Sequence, residues 1–95
     1  MHARITRFQI RPESLSDVVA RLPQMREMTS KIAGGLFNYA VWNGDGSGAT
    51  IAIYESKDAA EAAGPQIAEI WGALADHLAA PPVFENYEYA QSMRD

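Results

Sequence analysis

Apolar and polar positions along the chain predict six elements in the order strand, helix, strand, strand, helix, strand. Between His2 and Ile10, the apolar Ile5, Phe8 and Ile10 stand among Arg4, Thr6, Arg7 and Gln9 with no helix-start signal, which predicts a first strand. Arg11-Pro12 ends it. Ser14 precedes Asp17 by three residues, close to a capping box, and places a helix start at Leu15. Leu15, Val18, Val19, Leu22, Met25 and Ile32 continue at helical spacing and form one buried stripe. Pro23 falls inside that run, where the missing amide donor kinks the helix or splits it in two. Gly34-Gly35 reads as the stop, because glycine takes the left-handed conformation cheaply.

Leu36 to Trp42, rich in aromatic and branched residues, predicts the second strand. Asn43-Gly44-Asp45-Gly46-Ser47-Gly48 is the strongest local signal and reads as a β-hairpin loop before a third strand over Ala49 to Tyr54. Ser56 caps a short helix over Lys57 to Ala63, and Gly64-Pro65 interrupts it. A longer helix restarts there, with proline in its tolerated first turn. Its apolar stripe is Ile67, Ile70, Trp71, Leu74 and Leu78. Pro81-Pro82 stops it, and Val83 to Tyr89 is the fourth strand. No internal repeat, linker or low-complexity segment interrupts this order, so residues 1–95 read as a single α+β domain.

Two strand-helix-strand crossovers of the usual right hand put both helices on one face of the sheet. The other face is then bare, and if it met water the strands would alternate cleanly. They do not. Strand two offers Phe37, Tyr39 and Val41 on one side and Leu36, Ala40 and Trp42 on the other, while strand three offers Ile51 and Ile53 against Ala52 and Tyr54. A sheet apolar on both faces predicts a homodimer, with a second copy covering the bare face.

Composition narrows the class of function. A chain of 95 residues with 8 basic and 12 acidic side chains has a net charge of −4 and no run of Lys or Arg. That speaks against nucleic acid and against an anionic membrane surface as partners. The absence of cysteine removes disulfides, iron–sulfur clusters, thiolate zinc sites and cysteine nucleophiles together. No apolar stretch approaches the roughly 20 residues of a membrane helix, and Met1 leads straight into the first strand, so the expected compartment is the cytoplasm.

Three stretches resemble the antibiotic-biosynthesis-monooxygenase-like family: Ala3-Arg4-Ile5-Thr6-Arg7-Phe8-Gln9-Ile10, Ile53-Tyr54-Glu55-Ser56-Lys57-Asp58-Ala59-Ala60, and Pro81-Pro82 with Asn86-Tyr87-Glu88-Tyr89. The resemblance runs over essentially the whole chain in order and spacing. It implies a dimeric α+β barrel in which two ferredoxin-like sheets pack face to face, with a ligand pocket in each subunit between helices and sheet. The superfamily so implied holds cofactor-independent oxygenases, haem-degrading enzymes and isomerases, so fold alone does not choose among them.

Oxygenation without a cofactor requires an electron-rich phenol or anthrone that passes an electron to O₂ once deprotonated. The protein holds the substrate, relays its proton and hydrogen-bonds the developing oxyanion. The candidate catalytic residues are Asn38, Trp42, Tyr54 and His77, with Arg7 and Trp71 as candidate substrate-binding residues. Asn38 and Trp42 lie four apart on a strand and share a face, and the pair resembles the Asn and Trp lining the pocket of the quinone-forming members. His77 sits at the edge of the helical stripe, as a base near neutral pH or as a helix-end histidine facing the last carbonyls. Trp42 and Trp71 also suit core or interface anchoring, Tyr54 a core role, Arg7 a salt bridge at the barrel rim, and Asn38 a solvent-facing one.

In the haem-degrading branch the resemblance implies an Asn on strand one, a Trp on strand three and a His on the second helix. Ile5 and Tyr54 stand at the first two positions and only His77 fits, so haem degradation is disfavoured. No metal site is expected, since the two histidines, His2 and His77, make no pair at ligand spacing. No phosphate loop is expected either, because Gly44, Gly46 and Gly48 fall in a hairpin. The expectation is a cofactor-independent monooxygenase, or related enzyme, acting on a small aromatic or polyketide-like molecule. The alternative is a non-catalytic homodimer that binds a small apolar ligand or supports a pathway enzyme.

Overall fold

The computed structural model describes residues 1–94. Their elements are β1 (His2–Gln9), α1 (Leu15–Ala20), α2 (Leu22–Ser30), β2 (Gly35–Trp42), β3 (Ser47–Tyr54), α3 (Lys57–Ala62), α4 (Gly64–Ala73) and β4 (Val83–Tyr87). The four strands form one antiparallel sheet in the order β2-β3-β1-β4. This is the ferredoxin-like arrangement, with each predicted strand and helix in its predicted place.

Proline decides how the helices break. Pro23 stands in the first turn of α2, and the run predicted as one helix divides at Arg21 into α1 and α2. Pro65 does the same for α3 and α4. Ser56 caps α3 as expected, its hydroxyl accepting from the Ala59 amide at 3.1 Å. Ser14 does not cap α1. A 3₁₀ turn over Pro12–Ser14 comes first, and the Ser14 amide donates to the Arg11 carbonyl at 2.8 Å, so Ser14 has helical rather than cap geometry.

Several boundaries differ from expectation, β1 ending at Gln9, β2 starting at Gly35 and α3 ending at Ala62 by one residue each. Helix α2 ends at Ser30, and Ile32 is buried just beyond it rather than within the helical stripe. Ser47 and Gly48 belong to β3, leaving a shorter hairpin loop in which Gly46 takes the positive φ of 89°. Helix α4 ends at Ala73, because Leu78 leaves helical geometry to bridge with Ile10. The fourth strand ends at Tyr87 rather than Tyr89.

Both helical layers pack on one face of the sheet, in two clusters rather than one. Ile32, Ala60 and Ala63 pack with Ala52 and Tyr54 of β3. Val18, Leu74 and Leu78 pack with Ile10, flanked by Phe8 and Trp71, whose ring centroids are 5.7 Å apart. Among the described residues the opposite sheet face carries no helix. Phe37, Tyr39, Val41, Val83 and Tyr87 are exposed there, with Phe37 and Tyr39 stacked at 4.7 Å. Among the described residues no helix is long and apolar enough to cross a membrane.

Candidate functional site

Side chains directly opposite one another on antiparallel strands share a face, so the strand register builds the site row by row. On the helix side, one row runs Asn38, Ala52, Arg4, Asn86 across the four strands. The next runs Ala40, Thr50, Thr6, Phe84, and a third runs Trp42, Gly48, Phe8. The middle of this floor is therefore made of small residues: Ala40, Gly48, Thr50, Ala52 and Thr6. Helices standing on a floor of small side chains cannot close down everywhere, and the gap between the two packed clusters stays open.

That gap is a cavity of about 550 Å³ between sheet and helices, within the ordinary range for a small-molecule site. Leu22 and Met25 of α2 and Trp71 of α4 line it opposite the sheet residues. Its polar side chains on the helix side of the sheet are Arg4, Thr6, Arg26, Thr29, Asn38, Thr50 and Tyr54, and among the described residues no Asp, Glu or His lines it.

Arg4 and Tyr54 occupy one end. The Arg4 Nε donates to Asn86 Oδ1 at 3.1 Å and Nη2 donates to the Ala60 carbonyl, in the last turn of α3, at 2.9 Å. Nη1 reaches the Tyr54 hydroxyl at 3.5 Å, and the guanidinium carbon is 5.4 Å from the Tyr54 ring centroid. Tyr54 is only 2 % exposed. Burial pushes its hydroxyl above the ordinary phenol range, and the neighbouring Arg4 opposes that shift. At neutral pH Tyr54 is thus a neutral donor. Asn38, by contrast, is exposed where it lines the cavity, and its side-chain amide makes no hydrogen bond within the described residues.

Of the residues singled out from sequence, Asn38, Trp42, Tyr54 and Trp71 line this one cavity. Arg7 and His77 do not. Arg7 pairs across the sheet with Ala49 and Val83, on the bare face, where its Nε meets Glu85 Oε1 at 2.5 Å. Strand alternation puts it on the side opposite Arg4, so the expected pocket cation is corrected to Arg4. His77 lies in the 3₁₀ turn Ala75–His77 that follows α4, half-buried and outside the lining, because the helix stops before reaching it. Thr6 and Thr50 were also missed. Alternation groups Thr6 with Arg4 and Thr50 with Ala52 and Tyr54, but which of the two faces the helices cover follows only from the register between strands. Among the described residues no three His, Asp or Glu side chains gather into a group able to hold a metal ion.

The fold has many solved counterparts. A protein of unknown function from Nitrosomonas europaea superposes with a TM-score of 0.82 at 19% identity, over 99% of this chain and 93% of that one. A structure named an antibiotic biosynthesis monooxygenase matches with a TM-score of 0.73 at 17% identity, over 96% of this chain and 100% of that one. A monooxygenase from the gene ActVA-Orf6 of Streptomyces coelicolor, in complex with the ligand nanaomycin D, matches with a TM-score of 0.74 at 20% identity, over 99% and 91%. No family model matches the chain, and no curated protein does. At these identities the likeness is one of fold. It is the fold that the sequence resemblance implied.

Proposed function

We propose that the protein is a cofactor-independent monooxygenase of a small, flat aromatic or polyketide-like molecule, bound in the cavity between helices and sheet. The observation that carries this reading is the convergence of Asn38, Trp42 and Tyr54, from two adjacent strands, on one cavity walled by Trp71. The fold it shares with solved structures named monooxygenases adds support.

In this reading the substrate is an anthrone-like phenol with an activated methylene. Loss of a proton gives a carbanion, delocalised as an enolate, that transfers one electron to O₂. The resulting radical and superoxide combine to form a C–O bond, and loss of water from the hydroperoxide leaves a carbonyl. One oxygen atom enters the product and the other leaves as water. The side-chain amide of Asn38 and the Tyr54 hydroxyl, on neighbouring rows of the floor, are the donors for the developing oxyanion, while Trp42 at the other end of the floor and Trp71 of α4 hold the ring system.

Homodimerisation through the bare sheet face belongs to the same proposal. Two features support it: the exposed Phe37, Tyr39, Val41, Val83 and Tyr87, and charges on that face that are already neutralised. Arg7 pairs with Glu85, which also accepts from the Tyr87 hydroxyl at 3.0 Å. The cytoplasm is the compartment assigned with it, since a chain with no cysteine gains nothing from an oxidising one.

A second reading is favoured by a cavity wall that holds no Asp, Glu or His among the described residues: a non-catalytic homodimer that holds a small apolar ligand. Oxygen uptake by the purified, chelator-treated protein over a panel of anthrones and hydroquinones separates the two. Uptake above the uncatalysed rate that falls on replacing Asn38 supports the enzyme. No uptake across the panel favours the binding protein.

A further inference from the structure

The charged groups of the cavity are all of one sign. Among the described residues its two charged side chains, Arg4 and Arg26, are arginines in a protein of net charge −4, and no carboxylate lines the wall. The ion pairs among the described residues are Arg7–Glu85, Lys31–Glu27 and Lys57–Glu61, so Arg4 has no anionic partner of its own. A half-buried guanidinium without a carboxylate carries a desolvation cost that an incoming anion would offset.

Arg4 is also held still. Asn86 and the Ala60 carbonyl fix two edges of its plane, and the third contact, to the Tyr54 hydroxyl at 3.5 Å, is at the long limit of a hydrogen bond. A guanidinium has five N–H donors, so these three contacts leave donors unused. A pinned cation with spare donors, beside a neutral buried hydroxyl, is a site for an oxyanion.

We propose that the cavity selects ligands that enter already ionised, as the anion of an acidic phenol, an enol or a carboxylic acid, with the anionic oxygen at Arg4 and Tyr54. The proposal rests on the reading of the cavity as the binding site and narrows its ligand class. It also accounts for a wall without a base: a molecule that gives up its proton to water before binding needs no Asp, Glu or His to remove it. Arg4 then acts as a specificity residue, lowering the free energy of the bound anion.

The test compares two probes of nearly equal shape on the unaltered protein: lawsone, a hydroxynaphthoquinone ionised at neutral pH, and its uncharged methyl ether. Equilibrium titration, followed by quenching of tryptophan fluorescence, is expected to give the anion about tenfold tighter binding or more, falling as salt is raised. Arg4→Met should remove about tenfold from the anion's affinity and leave that of the ether within about twofold, while Arg4→Lys keeps most of the preference. Equal affinities for the two probes, or no binding of the anion, would overturn the proposal. So would a preference that survives Arg4→Met, or a loss shared equally by both probes. No turnover is involved, so the two readings fail separately. Charge preference without oxygen uptake from any substrate sinks only the monooxygenase, and oxygen uptake without charge preference sinks only the role of Arg4.

Discussion

The Arg4 guanidinium lies 5.4 Å from the centre of the Tyr54 ring while its Nη1 reaches the Tyr54 hydroxyl at 3.5 Å, so cation and phenol share one end of the cavity. The two come from neighbouring strands. Arg4 stands opposite Ala52, and Tyr54 is two residues further along β3 on the same face. Arg4 is anchored by Asn86 and Ala60, and burial raises the Tyr54 hydroxyl while the neighbouring Arg4 opposes that shift.

Tyr54→Phe tests the hydroxyl. If it donates to the developing oxyanion, turnover of an active anthrone should fall about a hundredfold with little change in KM. Stability carries a second signature. The folded pKa of Tyr54 lies above its unfolded value, so its contribution is complete below about pH 10 and is lost as pH rises through the folded value. Tyr87 is raised too, through its hydrogen bond to Glu85, and acts in the same direction. Chemical denaturation between neutral pH and strongly alkaline pH should therefore show a decline that is shallower in Tyr54→Phe than in the parent. An identical decline in both would assign it to Tyr87 and other groups.

Asn38→Ala separates binding from folding. The Asn38 side chain makes no hydrogen bond within the described residues and is exposed where it lines the cavity, so its loss should move the melting temperature very little. One neutral hydrogen bond to a ligand corresponds to about a tenfold change in affinity or rate. Retained stability with reduced turnover or ligand affinity is the expected pair of results. A marked drop in melting temperature would instead give Asn38 a structural role.

Much of the fold was legible because its signals are local. Pro23 and Pro65 break helices wherever they fall, Ser56 caps, and Asn43 to Gly46 turn the chain. The site was legible only in part, because its geometry depends on pairing between distant residues. Alternation in β1 separates Arg4 from Arg7, but nothing local says which parity the helices cover. That is fixed by the register that sets Arg4 against Ala52 and Arg7 against Ala49. His77 was misplaced for a similar reason. A stripe read at helical spacing carries it to Leu78, yet Leu78 leaves the helix to bridge with Ile10, a contact 68 positions away that no local pattern announces.

Gly46→Ala tests the hairpin that holds β2 and β3 in register. Gly46 has φ of 89°, and a Cβ there would run into the Ile10 carbonyl. Its own carbonyl accepts from the Ile10 amide at 2.8 Å, tying the turn to the end of β1. Left-handed backbone costs an L-residue about 1–2 kcal/mol before any clash, so denaturant melts should show at least that loss. Gly44→Ala, where an added Cβ meets nothing within 4 Å, is the matched control and should cost much less. Equal losses at both positions would mean that the turn tolerates repacking.

The bare sheet face decides whether the protein works as one copy or two. Phe37, Tyr39 and Val41 project from β2 beside Ile51 and Ile53 of β3, a contiguous apolar area with no helix over it. The Arg7–Glu85 pair on the same face is satisfied internally, so covering it leaves no unpaired charge. A twofold partner burying this area should give a dimer at micromolar concentration by sedimentation equilibrium. Tyr39→Asp places an unpaired carboxylate in the middle of that contact and should yield monomers with an unchanged far-ultraviolet spectrum, since Tyr39 is 62% exposed in the single chain. The cavity lies on the opposite side of the sheet, so in a stably folded monomer its ligand should still bind. A monomeric parent protein, or a Tyr39→Asp variant that remains dimeric, would move the interface elsewhere and leave the apolar face without an assigned role.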